Sequence, residues 1–372
     1  MIPIINQTYR DPDLSRELSR EIDRISQRPI RLMEVCGTHT VSIFRHGIRD
    51  LLPDTISLVS GPGCPVCVTA QGEIDAFIRT ARQKDVIITT FGDLMRVPGS
   101  ASSLEKERAG GHDIRVVYSP MDALTIARDN PARQVVFLGV GFETTTPAIA
   151  ATVLSARQMK IDNFCVFSAH KVVPPALSAL MAPGMADIDG FILPGHVSVI
   201  IGLDAYQPFF EQYRIPCVVG GFEPTDILLA VRMLVEQIES DTCTLENAYP
   251  RTVGPAGNVK AQALMAKVFE PTDAVWRGIG KIPESGLRFR ESFSDMDAEN
   301  RLKIKPSTVE DPKGCACGEI LTGTKIPPAC PLYKKQCTPM NPVGPCMVST
   351  EGTCAAYFRY HYEDPGTSKS TS

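Results

Sequence analysis

The sequence predicts an α/β protein with two similar Rossmann-like, parallel-sheet domains facing a cleft and a small irregular C-terminal region. Three observations carry that reading. Short apolar runs such as Val86–Thr90, Val135–Val140 and Phe164–Ser168 alternate with segments of helical spacing, which gives parallel sheets with helices on both faces. A Gly-Phe-Glu-x-Thr turn occurs at Gly141 and again at Gly221, so one kind of strand-to-helix turn is used twice. After about Thr242 the periodicity fades, proline and glycine become frequent, and six of the 12 cysteines crowd between Cys315 and Cys354. The strand-and-helix series restarts near residue 130. The expected division is therefore an N-terminal helix over 1–30 packing with the C-terminal domain, α/β domains over 31–130 and 131–241, and a cysteine-rich domain over 242–372.

Each element has its own justification. Asp11 to Gln27 places Leu14, Leu18, Ile22 and Ile25 on one stripe between charges, an amphipathic helix. The apolar run from Leu32 ends abruptly at Cys36-Gly37-Thr38-His39-Thr40, so Cys36 closes a strand. Val41 to Leu52 reads as a helix, and Thr55 to Ser60 as a strand opening into Gly61-Pro62-Gly63-Cys64-Pro65-Val66-Cys67. Glu73 to Lys84 is helical, and strands follow at Val86–Thr90 and Ile114–Tyr118, with a short helix over Met121–Arg128. Val135–Val140 leads into Gly141-Phe142-Glu143-Thr144-Thr145 and a helix from about Pro147 to Met159. Phe164–Ser168 ends at His170, Phe191–Leu193 at Pro194-Gly195-His196-Val197-Ser198, and Cys217–Val219 at Gly220-Gly221 before a helix to about Ile238. The polar stretch Gly366–Ser372 is expected to be disordered.

Composition narrows the function. Hydrophobic residues make up 43% and charged residues 22% of the 372, an ordinary soluble protein. A net charge of −4 without basic runs argues against nucleic acid as the main partner. No apolar run approaches the roughly 18 residues of a membrane span. Arg10, Asp11, Asp13 and Arg16 do not fit a secretory signal, so the expected location is the cytoplasm. In that reducing compartment so many cysteines point to metal or redox chemistry more than to structural disulfides.

The cysteines fall into three settings. Cys36, at the carboxyl end of a strand where α/β sheets bind ligands, is a nucleophile, a soft-metal ligand or a buried strand-closing thiol, with His39 beside it. Cys64-x-x-Cys67 follows a strand and precedes a helix, where thiolate is favoured; it reads as a redox pair or as half of a zinc site. Cys317, Cys330, Cys337 and Cys354 are separated by twelve, six and sixteen residues, without the close pairs of a zinc knuckle. Four thiolates from separate loops suit an iron–sulfur cube, with zinc the competing reading and Cys315 and Cys346 as spare thiols. Glu143, His170 and His196 are candidate cleft residues at strand ends. Neither a dinucleotide fingerprint nor a Walker lysine is present, and Glu143 and Glu223 read as helix-start residues.

Taken together, Cys36-Gly37-Thr38-His39-Thr40, Gly61-Pro62-Gly63-Cys64-Pro65-Val66-Cys67, Gly141-Phe142-Glu143-Thr144-Thr145, Pro194-Gly195-His196-Val197-Ser198 and the tail cysteines resemble the HypD family of [NiFe]-hydrogenase maturation proteins over nearly the whole chain. The resemblance implies an assembly scaffold more than a turnover enzyme. It implies partnership with the small chaperone HypC, cyanide received from HypE, and an Fe(CN)2CO iron unit destined for the hydrogenase large subunit. It further implies Cys36 as iron ligand with His39 beside it, Cys64 and Cys67 as redox pair, and Cys317, Cys330, Cys337 and Cys354 as ligands of a [4Fe-4S] cluster. A free-standing disulfide oxidoreductase of the ferredoxin–thioredoxin reductase kind is the competing class, and a nucleotide-dependent enzyme a third.

Overall fold

The computed structural model describes residues 9–182 and 185–361; the stretch Gly366–Ser372 lies outside them. In chain order its strands are β1 (Ile30–Glu34), β2 (Ile56–Ser60), β3 (Val86–Thr90), β4 (Ile114–Val116), β5 (Gln134–Gly139), β6 (Phe164–Ser168), β7 (Gly190–Pro194), β8 (Cys217–Gly220), β9 (Leu245–Asn247), β10 (Phe269–Trp276) and β11 (Gly280–Phe289). Two parallel sheets form, as the alternation predicts: a five-stranded one in the order β2-β1-β7-β8-β9 and a four-stranded one in the order β4-β3-β5-β6.

The strands do not divide between the sheets at residue 130. β1 pairs in parallel with β7, Leu32 opposite Gly190 and Glu34 opposite Ile192, so β3 to β6 form a sheet inserted within the first. Periodicity locates a strand but does not say which neighbour it hydrogen-bonds, and that choice rests on long-range packing.

The N-terminal helix also departs from expectation. Pro12–Ile25 is N-capped by Asp11, whose carboxylate accepts the Asp13 amide at 2.8 Å. It buries Leu18 and Ile22 in a cluster with Ile227, Leu228 and Val231 of the helix Pro224–Glu239. Its apolar stripe thus covers the helix layer of the first sheet, not the C-terminal region.

That region has more regular structure than its composition announces. β10 and β11 form an antiparallel hairpin, and Phe269, Leu287 and Phe289 join the core of the second sheet. The cysteine-rich tail shares one core with the first sheet: Cys317, Ile320, Met347 and Tyr357 belong to the same cluster as Val35 and Phe44. The helix Thr353–Tyr360 lies on the helix Gly37–Arg45, with the rings of Phe44 and Tyr357 4.3 Å apart. The tail is thereby set against the carboxyl end of β1.

Candidate metal and thiol site

Cys36 follows β1 in extended conformation (φ −148°, ψ 120°) and caps the helix Gly37–Arg45. Its backbone N–H donates to Glu34 Oε2 at 3.0 Å. The loop carrying the second cysteine motif lies directly on it. The Gly37 amide donates to the Gly63 carbonyl at 3.0 Å, and a Cβ at Gly63 would stand 2.1 Å from the Cys36 nitrogen. Only glycine permits that approach. Burial pushes the Cys36 thiol up to about 12, opposed by the His39 and Thr38 amides that favour its thiolate.

Two carboxyls and an imidazole stand around this thiol. Glu34 is buried and accepts the hydroxyl of Thr40; burial pushes its carboxyl to about 7 against those hydrogen bonds. His39 is fully buried, its Nε2 2.9 Å from the Gly221 carbonyl oxygen. That contact makes Nε2 the protonated nitrogen and leaves Nδ1 as a lone pair, which has no partner among the described residues. Burial lowers His39 to about 4, so its ring is neutral at physiological pH. Glu351, from the tail, accepts the Thr38 hydroxyl at 2.7 Å.

Cys64 caps the short helix Pro65–Val68, and its sulfur accepts the Cys67 amide at 3.2 Å. Both side chains are buried, Cys67 completely. The expectation that this turn favours thiolate fails for Cys67. Its thiol is pushed well up by burial, then by hydrogen bonding to Cys346 and Cys64: the four-residue helix is too short, and the site too dry, for its dipole to prevail.

The same contact shows where the tail thiols go. Cys67 meets Cys346, whose sulfur is 3.4 Å from that of Cys317. Cys315, Cys317, Cys330, Cys337, Cys346 and Cys354 all line one cavity, closed otherwise by Ile320, Leu332, Tyr333, Gly344 and Met347. Among the described residues no three His, Cys, Asp or Glu side chains are grouped to hold a metal ion. A cube, whose irons each take one thiolate from a different side, asks for thiols around a space instead. Six thiols around one closed space are the donor set that such a cube would take.

The other candidate residues separate. His196 is exposed and stacks on Phe222 at 3.8 Å, with the His39 ring 4.9 Å away from the same phenyl group. It therefore belongs to the Cys36 neighbourhood. His170 does not: it is buried beside Phe269, its Nδ1 2.9 Å from Ser168 Oγ. Ser168 donates to the Leu287 carbonyl, so His170 Nδ1 carries the proton and Nε2 has no partner among the described residues. Glu143 accepts the Val173 amide at 2.9 Å and lies buried at the second sheet, while Glu223 caps its helix and pairs with Arg10. Sequence reasoning missed Glu34, Glu351, Phe222 and the contact role of Cys346. A charge closing an apolar strand two residues before Cys36 was the available signal for Glu34; Glu351 had none.

Comparison with known proteins covers nearly the whole chain. The HypD family model, described as the hydrogenase formation hypA family, matches residues 13–361. The hydrogenase maturation factor HypD of Azotobacter vinelandii is 46% identical over 361 residues, 95% of either chain. That of Rhodobacter capsulatus is 46% identical over 364 residues, covering 95% of this chain and 97% of its own. That of Escherichia coli is 44% identical over 350 residues, 94% of each.

Proposed function

Because the chain belongs to the HypD family of hydrogenase maturation factors, we propose that it is the scaffold on which the iron of an Fe(CN)2CO unit is held, at Cys36, while its diatomic ligands are attached. In this reading it works with the small chaperone HypC, accepts cyanide by way of HypE, and passes the iron unit toward the hydrogenase large subunit in the cytoplasm. Iron is cargo here. The observation that carries the proposal is the packing of the Cys64 loop onto Cys36 together with the unbroken run of thiols from Cys67 through Cys346 to the tail cavity.

Cys36 has one role that follows from its surroundings. Its thiol is protonated when free, and metal binding displaces that proton. A thiolate is the soft ligand that suits low-spin iron carrying cyanide and carbon monoxide. His39 Nδ1, a bare lone pair on a neutral ring, is the one imidazole nitrogen that the motif offers as a ligand.

The tail holds a [4Fe-4S] cluster on Cys330, Cys337, Cys354 and a fourth thiol. The fourth is Cys317, with Cys315 in contact with it able to substitute, which frees Cys317 to pair with Cys346 at 3.4 Å. When bound, such a cluster supplies single electrons at low potential. The thiols themselves exchange in two steps. The Cys346 thiolate attacks Cys67 of a Cys64–Cys67 disulfide, forming Cys67–Cys346 and releasing Cys64 as thiolate. Cys317 then attacks Cys346, forming Cys317–Cys346 and releasing Cys67, so that two electrons have passed to the pair beside Cys36. A free-standing disulfide reductase would need that pair exposed to a foreign protein, and both thiols are buried.

The test is to express the chain anaerobically with its small partner and count metal and sulfide. About four irons with matching sulfide are expected in the tail, with loss of hydrogenase maturation when the chain is absent. Zinc without acid-labile sulfide would overturn the cluster assignment.

A further inference from the structure

The turn of the β10–β11 hairpin reaches into the space between the two thiol-bearing segments. Thr69 and Trp276 form an antiparallel bridge, and the Arg277 amide donates to the Val68 carbonyl at 2.9 Å. The Arg277 side chain is only 1% exposed. Its Nε donates to the Thr69 carbonyl at 3.0 Å and its Nη2 to Gln71 Oε1 at 3.0 Å. Its Nη1 donates to Asp311 Oδ1 at 2.7 Å. The first three partners continue directly from Cys67; Asp311 precedes Cys315 by four residues.

The next residue touches the tail. Gly278, at φ +75°, lies so close to Gly318 that a Cβ on it would stand 2.1 Å from the Gly318 Cα, and Gly318 directly follows Cys317. Two glycine backbones in contact leave no slack between the hairpin turn and the helix Cys317–Leu321. One turn therefore fixes the segment after Cys67 and the segment around Cys317 at once.

A buried guanidinium is an expensive way to join two loops, since its charge must be satisfied on all sides. It offers a fork that a lysine lacks and a charge that an apolar side chain lacks. Its planar fork serves three acceptors in fixed directions, and its charge stays in the dry region through which thiolate moves during exchange.

We propose that Arg277 is a positioning residue for thiol–disulfide exchange, holding the Cys64–Cys67 turn and the Cys317–Cys346 pair at exchange distance through the hairpin turn. This rests on the relay described above, and the two can fail separately.

The experiment uses the full chain with Cys64→Ser and Cys317→Ser, so that mild oxidation by diamide stops at a Cys67–Cys346 disulfide, detected by non-reducing peptide mapping. In this background the cross-link is expected within minutes. Adding Arg277→Met should slow it between about ten- and a hundredfold, the usual effect of a misplaced reacting pair. Arg277→Lys, which keeps the charge and is the variant more certain to fold, should recover part of that rate; circular dichroism and thermal midpoint verify the fold of each. A background that never forms the cross-link overturns the relay. A background that forms it at the same rate with Arg277→Met, or a lysine variant no faster than the methionine one, overturns the role of Arg277 alone.

Discussion

At the carboxyl edge of the first sheet a buried carboxyl, Glu34, and a buried imidazole, His39, stand beside Cys36 and the Cys64–Cys67 turn. At the edge of the second, Glu143 and His170 occupy comparable ground, and the cysteine of that sheet, Cys165, lies within β6 opposite Val136. The polar pairs are alike. Burial raises Glu34 and Glu143 each to about 7 and lowers His39 to about 4 and His170 to about 3. Each histidine has one ring nitrogen in a hydrogen bond and the other without a partner among the described residues. What separates the edges is sulfur and what covers it: the tail lies over Cys36, through Glu351 and the helix Thr353–Tyr360, whereas the β10–β11 hairpin lies over His170. Buried acid and base stand at both edges; only the first sets them beside thiols that run on to a thiol-lined cavity.

This contrast can be broken most sharply by moving its sulfur. Cys36→Ala should abolish hydrogenase maturation while leaving the fold unchanged, whereas Cys165→Ala, inside β6, should mature normally and lose only about 1 kcal/mol of the packing that a buried thiol contributes. Activity of the matured hydrogenase and the thermal midpoint of each variant separate the two outcomes. Next in size, Cys354→Ser should lose tail iron and sulfide together and lower the thermal midpoint, because the tail's side chains share a core with the first sheet; iron and sulfide analysis checks it. Cys64→Ser should slow maturation by roughly tenfold or more yet leave the tail cluster in place, and an unaffected maturation rate would remove the relay.

The smallest effect concerns the second edge. Glu143 holds its proton to about 7 in the fold against 4.5 ordinarily. Above its unfolded value the folded chain must therefore ionise a buried carboxyl, and stability falls as pH rises from about 4.5 through about 7. Glu143→Gln should remove that slope, gaining on the order of 3 kcal/mol at pH 8 and nothing at pH 4. His170 acts with the opposite sign. Its neutral ring is favoured in the fold, so its contribution is complete above about 6.5 and is lost as pH falls toward 3. Denaturant titrations across pH 4–8 resolve both, with maturation unaffected in Glu143→Gln if this edge is structural.

Much of the first edge was legible in the sequence because its signals are local. An apolar run stopping at Cys36, a Cys-x-x-Cys turn, and helices that begin where glycine and threonine follow a strand all depend on neighbours in the chain, and β3 and β6 fall where periodicity put them. Pairing is not local. That β1 joins β7 across more than a hundred residues, or that the N-terminal helix lies on Pro224–Glu239, is decided by which apolar surfaces meet. The hairpin Phe269–Phe289 was hidden for another reason: one face is solvent-exposed and proline interrupts it, so its alternation is weak. Glu351 and Cys346 gain their meaning only from the fold, which brings them to Thr38 and Cys67.

The most direct measurement is the infrared spectrum of the protein isolated anaerobically with its small partner, as wild type and as Cys36→Ala. Cyanide and carbon monoxide stretching bands are expected from the wild-type complex and not from the variant, whose tail cluster should remain intact by iron and sulfide analysis. Bands of equal intensity in the variant would contradict the assignment of Cys36 as the thiol that carries the iron.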